Sequence, residues 1–290
     1  MREHTASQLD SVPGSAPACC NPSRRLDWPQ VEPRRIKEME LTFLGTRGEI
    51  KIRSHRHRRH SALLVEQDDV RIMIDCGADW LHRLHAIAPS AIVLTHAHAD
   101  HAAGLVNGAP CPVYAPAATW ELLSRLPILD RRTMPLRKAV VIGGIRFRAI
   151  PVHHSIRAPA VGYRVSANDR CFFYLPDVAE LPKAADALRG IDVYIGDGAT
   201  VRRSMVRRKG DESVGHAPIV RQLDWCAEAH VLLAVFTHCG SPIVRATTHA
   251  IDSVVTRLCQ EHGLNVRIAC DGDRLSLRSR LGARETAETP

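Results

Sequence analysis

Residues 91–101 read AIVLTHAHADH, and this stretch decides the fold. Its first four residues are wholly apolar, the pattern of a short strand buried on both faces. Directly behind them, three histidines and an aspartate fall within six residues. Side chains at the C-terminal end of a buried strand reach into a cleft, where α/β sheets bind their ligands. His96 and His98 stand two apart, so an extended backbone points them the same way. Asp100 and His101 then turn toward a second point. Imidazole nitrogen and carboxylate oxygen are donors that zinc, manganese and iron all accept. A solvated polar loop is the bland alternative. It would suit one histidine, and it suits this run poorly.

Outward from this stretch, strands and helices alternate. Residues 61–66 and 70–75 read as two strands joined by a turn at 67–69. Residues 79–87 have helical spacing, with Trp80, Leu81, Leu84 and Ile87 on one side. Further strands are predicted at 112–115, 140–142, 146–152, 161–165, 171–175, 193–195, 231–236 and 266–269. Helices are predicted at 117–125, 219–229 and 248–262. Paired strands followed by strand–helix alternation predict sheets with helices on their outer faces. Residues 1–38 hold five prolines and little apolar periodicity, and read as a flexible leader. The folded domain is expected over 39–278, with Met39 as its start and as the candidate natural start of the chain, and residues 279–290 as a flexible tail.

The whole chain has 290 residues, 45% of them hydrophobic, and a formal charge of +8. That excludes wholesale disorder and leaves room for a real core. Length alone is compatible with two domains, but one large layered α/β domain is preferred. No apolar run approaches the ~18 residues needed to span a bilayer, and the first residues lack the apolar segment of a secretory signal. Five of the 39 basic residues are lysine, leaving 34 arginines, a bias that also fits a GC-rich coding sequence. The nine cysteines form no CxxC pair, so a disulfide framework is not expected and the cytoplasm is the expected compartment. The 16 histidines are the unusual count.

Taken together, Asp75-Cys76-Gly77, the 96–101 run, His153-His154, Asp177 after an apolar strand and His238 at another strand end resemble the metallo-β-lactamase fold superfamily of metal-dependent hydrolases. The resemblance covers about residues 39–278. It implies an α/β (α+β) four-layer αββα sandwich with two divalent metal ions, zinc first, manganese or iron accepted. It further implies that His96, His98 and His154 hold one ion, that Asp100, His101 and His238 hold the second, and that Asp177 bridges them. His154 is preferred to His153, which is expected to support the site. Two such ions would activate hydroxide near neutral pH without a nucleophilic Ser or Cys. Cys239 is therefore expected to be a packed thiol.

Three features narrow the chemistry. Gly215-His216-Ala217-Pro218 lies 22 residues before His238. The sequence is similar here to the phosphodiesterase branch of the superfamily, which includes a phosphonate-pathway cyclic phosphodiesterase and the tRNA 3′-processing endonuclease. In that branch a histidine in this interval protonates the leaving oxygen. The resemblance makes His216 the general acid, with Asp100 also at the catalytic centre. Next, only 23 residues separate His154 from Asp177 and 61 separate Asp177 from His238, too few for a long substrate arm or an extra domain. Finally, residues 47–60 carry Arg47, Lys51, Arg53, Arg56, Arg58 and Arg59 against Glu49, a local +5, where the phosphonate-pathway enzyme has a cysteine-rich zinc site. Arginine forks suit phosphate. Arg56, Arg58 and Arg59 are accordingly put forward as substrate-binding, and Arg202, Arg203, Arg207, Arg208 and Lys209 form a second basic run. A solvated basic loop explains each run about equally well.

The expected activity is hydrolysis of a small or flexible phosphodiester, a small molecule or nucleotide, with nucleic acid a possible partner and no membrane. Oligomeric state is left open, a homodimer being compatible. The competing readings are a lactone, thioester or carboxylic-ester hydrolase of the same fold, a relative of pyrroloquinoline-quinone biosynthesis protein B, and a nucleic-acid binder without turnover.

Overall fold

The computed structural model describes residues 38–279. The leader expected over 1–38 and the tail over 279–290 lie, but for Glu38 and Ser279, outside the described residues.

In chain order the strands are β1 (Met39–Gly45), β2 (Ala62–Gln67), β3 (Val70–Ile74), β4 (Ala91–Val93), β5 (Val113–Ala115), β6 (Arg131–Thr133), β7 (Ala139–Ile142), β8 (Ile145–Val152), β9 (Ala160–Ala167), β10 (Arg170–Tyr174), β11 (Val193–Asp197), β12 (Arg207–Lys209), β13 (Glu212–Val214), β14 (Leu233–Thr237), β15 (Asn265–Ile268) and β16 (Arg274–Leu277). The helices are α1 (Leu84–Ile87), α2 (Ala99–Ala102), α3 (Ala117–Leu122), α4 (Ala184–Leu188), α5 (Ile219–Glu228), α6 (Ser241–Val244) and α7 (Thr248–His262).

One seven-stranded sheet has the order β16-β1-β2-β3-β4-β5-β6, the other β15-β14-β11-β10-β9-β8-β7. Each sheet is antiparallel along one half and parallel along the other. The pairs β16·β1, β1·β2 and β2·β3 are antiparallel, and β3·β4, β4·β5 and β5·β6 are parallel. In the second sheet β7·β8, β8·β9 and β9·β10 are antiparallel, and β10·β11, β11·β14 and β14·β15 are parallel. No sequence repeat announces this duplication of pattern.

Side-chain alternation assigns the layers. Leu63, Val65, Ile72 and Ile74 of the first sheet pack against Phe147, Tyr163, Phe172 and Tyr174 of the second, forming the inter-sheet core. Phe173 and Tyr194 point the other way, onto Leu223 and Cys226 of α5 and Leu188 of α4. On the outer face of the first sheet, Leu64, Met73 and Ile92 meet Trp80, Leu84 and Leu105. The architecture is therefore helix, sheet, sheet, helix.

The long helix α7 runs over the predicted residues, with the Thr247 hydroxyl capping it by accepting from Ala250 N and Gly263 ending it in the left-handed conformation. The segment 79–87 departs from expectation. It is a 3₁₀ turn at Ala78–Trp80, a break at His82 (φ 65°), and the single turn α1. The cause is tertiary: the Asp79 carboxylate is held by Arg47, and the Trp80 ring N–H donates to His60 O at 3.0 Å. The strands β6, β12, β13 and β16 and the helices α2, α4 and α6 are not among the predicted elements. All three residues of β6 and of β12 are exposed, so they carry no apolar alternation to read.

Candidate metal centre and cleft

The centre is assembled from strand ends. Asp75 follows β3 in the left-handed conformation (φ 64°) and is fully buried. Its carboxylate accepts from Thr95 N (2.8 Å) and Thr95 Oγ1 (3.0 Å), and its second oxygen meets His101 Nδ1 at 2.8 Å. One carboxylate thus fixes both ends of the 95–101 loop. Gly77 lets α2 come close: a Cβ there would lie 1.9 Å from Asp100 O.

Around this frame the histidines converge. His96 Nε2 lies 2.9 Å from His98 Nδ1, and His154 Nε2 lies 3.3 Å from the same atom. Metal–nitrogen bonds of 2.0–2.1 Å at a tetrahedral angle would set such nitrogens about 3.3 Å apart. Across the cluster, His238 Nε2 is 3.0 Å and His101 Nε2 3.3 Å from Asp100 Oδ2. Asp177 sits between the two groups. Its Oδ2 is 2.7 Å from His101 Nε2, and its Oδ1 is 3.5 Å from His238 Nε2 and 3.6 Å from His154 Nε2. His153 is not in the cluster, and its backbone pairs with Glu180.

These residues suit a divalent cation. His96, His98 and His154 offer donor atoms in one group; Asp100, His101 and His238 in another; and His96, His101 and Asp177 in a third. Three ring nitrogens that face away from the cluster are engaged behind it: His96 Nδ1 with Thr95 Oγ1 (3.0 Å), His101 Nδ1 with Asp75, and His154 Nδ1 with Gly215 O (3.1 Å). Such backing orients metal ligands. His101 Nε2 and Asp177 Oδ2 are buried without a hydrogen-bond partner, since their 2.7 Å contact lacks hydrogen-bond geometry. Unpartnered buried polar atoms are costly unless a cation takes them. Without one, the carboxylates draw protons onto the imidazoles. Burial opposes the charge on His238, yet Asp177, Asp100 and Asp197 raise its pKa to about 10. Burial acts the same way on His101, and Asp100, Asp177 and Asp75 overcome it.

His216 stands at the mouth of the cluster, its side chain 21% exposed, stacked on His238 at 5.6 Å. Its Nδ1 lies 2.7 Å from Asp197 Oδ2. Asp197, at the end of β11, is fully buried and also accepts from Val178 N (3.1 Å) and Ala199 N (2.8 Å). The buried Gln222 side chain clamps the Asp197 backbone, receiving its N–H (2.9 Å) and donating to its carbonyl (2.8 Å). Burial disfavours a charged His216, but Asp197 outweighs this and raises its pKa. The orienting role of Asp197 was missed from sequence. The signal was there, since Asp197 follows an apolar strand as Asp75 and Asp177 do.

A cleft of about 990 Å³ opens over the cluster, lined among others by His98, Asp100, His154, Asp177, His216 and His238. Arg56, Arg58 and Arg59, put forward for the substrate, do not line it. Arg56 donates to Ala246 O (2.6 Å), Arg59 lies over the Trp80 ring at 5.3 Å, and the Arg58 and Arg59 amides donate to Asp271 Oδ2. Their segment is held down by Asp79 and Asp271. The cleft arginines are Arg203 and Arg207 of the second basic run.

Comparison with known proteins agrees with this geometry. The family model described as a beta-lactamase superfamily domain matches residues 70–239. The chain is 31% identical over 148 residues to ribonuclease Z of Methanopyrus kandleri, covering 44% of this chain and 50% of that one. It is 29% identical over 220 residues to ribonuclease Z of Picosynechococcus sp., covering 66% of each. The alignments thus span about half to two thirds of the length of these curated relatives. Among solved structures, a diphosphatase of the PhnP family superposes with a TM-score of 0.63 at 22% identity, over 83% of this chain and 97% of that one.

Proposed function

Given that the chain belongs to the beta-lactamase superfamily, we propose that it is a metal-dependent phosphodiesterase acting on nucleic acid. The observation that carries the reading is the Asp197-backed His216 at the mouth of a histidine–carboxylate cluster, inside a cleft that also holds two arginines. The names of the relatives, ribonuclease Z and diphosphatase, support the phosphoester class. His96, His98 and His154 would hold one divalent ion, Asp100, His101 and His238 another, with Asp177 between them. Zinc is the first candidate, and manganese and iron suit the same donors. When bound, two such ions would lower the pKa of water and offset charge building on the phosphate.

The side chains supply the rest. Asp75 locks His101 and the 95–101 loop before any substrate arrives. The proton on His216 Nδ1 is held by Asp197, which leaves Nε2 as the nitrogen that hands a proton to the departing oxygen. Asp197 raises the His216 pKa against burial, which favours the protonated form of the ring. Arg203 and Arg207 meet the phosphate oxygens. A lactone or thioester would need neither arginine. Within the described residues no helix is long and apolar enough to cross a membrane. The reading carries a cytoplasmic location with it.

The test is a substrate screen. With added zinc or manganese, the protein is expected to hydrolyse bis-p-nitrophenyl phosphate and to leave lactones and thioesters untouched. His216→Ala is expected to lose roughly 10²-fold in kcat while keeping its metal content. Turnover of lactones alone would refute the phosphodiesterase reading.

A further inference from the structure

The segment between Asp197 and His216 does more than connect them. Gly215 N donates to His154 O (2.9 Å) and Met205 N to His216 O (3.2 Å), so both ends are tied to the site. The Thr200 hydroxyl donates to Arg203 O at 2.8 Å, fixing the first bend. From there the hairpin β12–β13 extends outward, closed by the pairing of Arg207 with Val214 and Lys209 with Glu212. Its first part, from Arg203 to Arg207, lines the cleft.

The cations on this hairpin are arranged in order. Arg203 and Arg207 face the cleft. In a strand, alternate side chains share a face, so Lys209 lies on the side of Arg207 and Arg208 on the opposite one. Arg207 and Lys209 are about 6.6 Å apart along the strand, far enough to meet two anions rather than one. Arg203, Arg207, Arg208 and Lys209 are all exposed. Among the described residues none of the four has a carboxylate partner, whereas the neighbouring Arg202 is paired to Glu261 at 2.7 Å. Free guanidinium groups pointing into a cleft and continuing out of it suit an anion that is itself extended. A single phosphate would occupy one of them.

We propose that the β12–β13 hairpin is a track for a single-stranded nucleic acid leaving the cleft, with Arg203, Arg207 and Lys209 meeting successive phosphates. Met205, 48% exposed between the two arginines, offers apolar surface to a base. The proposal rests on the phosphodiesterase reading and adds to it the direction in which the substrate lies.

Binding of a fluorescein-labelled ten-nucleotide 2′-O-methyl RNA with phosphorothioate links, which resists cleavage, is measured on the zinc-loaded full chain across a salt series. Each phosphate contact to a single strand adds about 0.7 to the slope of log affinity against log salt. Arg203→Gln/Arg207→Gln is therefore expected to flatten the slope by about 1.4, and adding Lys209→Gln by about 0.7 more. Arg208→Gln, on the other face of the same strand, is expected to leave it unchanged. An unchanged slope in the double variant, an equal loss in Arg208→Gln, or no measurable binding by the wild type would each overturn the track. Because no turnover is read, these outcomes are separate from failure to hydrolyse bis-p-nitrophenyl phosphate, which would sink the parent reading instead.

Discussion

Asp197 lies behind two imidazoles at once. Its Oδ2 holds His216 Nδ1 at 2.7 Å, and its Oδ1 faces His238 Nδ1 at 3.8 Å. Burial alone would push this carboxyl up, but His216 and His238 hold it below the usual carboxylate range. The reciprocal effect is on His216, where Asp197 overcomes burial and raises the pKa. In Asp197→Asn burial and His238 are opposed only by Asp177, so the His216 pKa falls. An acid with a lower pKa loses its proton earlier as pH rises. The alkaline limb of the kcat profile should therefore move to lower pH in Asp197→Asn, and kcat should fall roughly 10²-fold. Metal content, measured by elemental analysis, should stay near that of the wild type. An alkaline limb that does not move would mean that Asp197 only packs. Gly77 governs the site in a simpler way. Gly77→Ala drives a methyl into the backbone of Asp100, at 1.9 Å from its carbonyl oxygen, so α2 must shift. A loss of about 2–3 kcal/mol in urea unfolding, with weaker metal retention, is expected.

At the scale of elements, the 47–60 segment is held by two acids. Arg47 is 2% exposed and its guanidinium meets Asp79 at 2.5 Å; Arg53 reaches the other oxygen at 2.8 Å, and His60 N donates at 2.9 Å. Asp271 takes the amides of Thr46, Arg58 and Arg59. Removing one partner of a buried pair strands the other charge, so Asp79→Ala should cost about 3–5 kcal/mol. Arg53→Ala, whose side chain is 56% exposed, should cost under ~1 kcal/mol. Denaturant midpoints of the two variants check the contrast. The same segment shows where sequence reading stops. Its charge was legible, but where each guanidinium goes depends on partners distant in sequence: Asp79 for Arg47 and Arg53, Ala246 for Arg56 and the Trp80 ring for Arg59. Arg56, Arg58 and Arg59 were therefore assigned to the substrate, while Arg203 and Arg207 line the cleft. The helix expected at 79–87 failed for a related reason, because hydrogen bonds to Asp79 and Trp80 outweighed an apolar spacing. By contrast, α7 and the strand ahead of His96 were legible almost to the residue. There, periodicity, caps and burial all agree. His96, His154 and His238 were legible because each stands just past a strand, and His98 and His101 because they fall in the same run as His96.

Across the whole molecule, two sheets of matching pattern meet face to face, and the 47–60 segment is pinned beside the cluster. Gly48 N donates to Cys239 O at 3.1 Å, and Cys239 N to Thr46 O at 2.6 Å. Two histidines of this segment are buried without belonging to the metal cluster. His57 is 1% exposed, with Nδ1 2.8 Å from Thr46 Oγ1; His60 is 7% exposed and lies beside Asp79. Burial, helped by Arg56, lowers the His57 pKa from 6.5 to about 4; burial and Arg47 lower His60 equally far, against Asp79. Both are thus neutral in the folded chain where the unfolded chain would already bind a proton. Stability from this source is complete above pH 6.5 and declines as pH falls toward 4. The full shift would correspond to about 3 kcal/mol per histidine. Local relaxation and water penetration on protonation reduce it to about 1–2 kcal/mol each. Other buried groups also titrate, the metal ligands among them, but they are common to the wild type and to a His57→Gln/His60→Gln variant, so the difference isolates these two. Urea unfolding at pH 7, 6, 5 and 4 should show the wild type losing about 2–4 kcal/mol more than the variant over that range. Parallel stability curves for the two proteins would mean that His57 and His60 are already solvated enough to titrate normally.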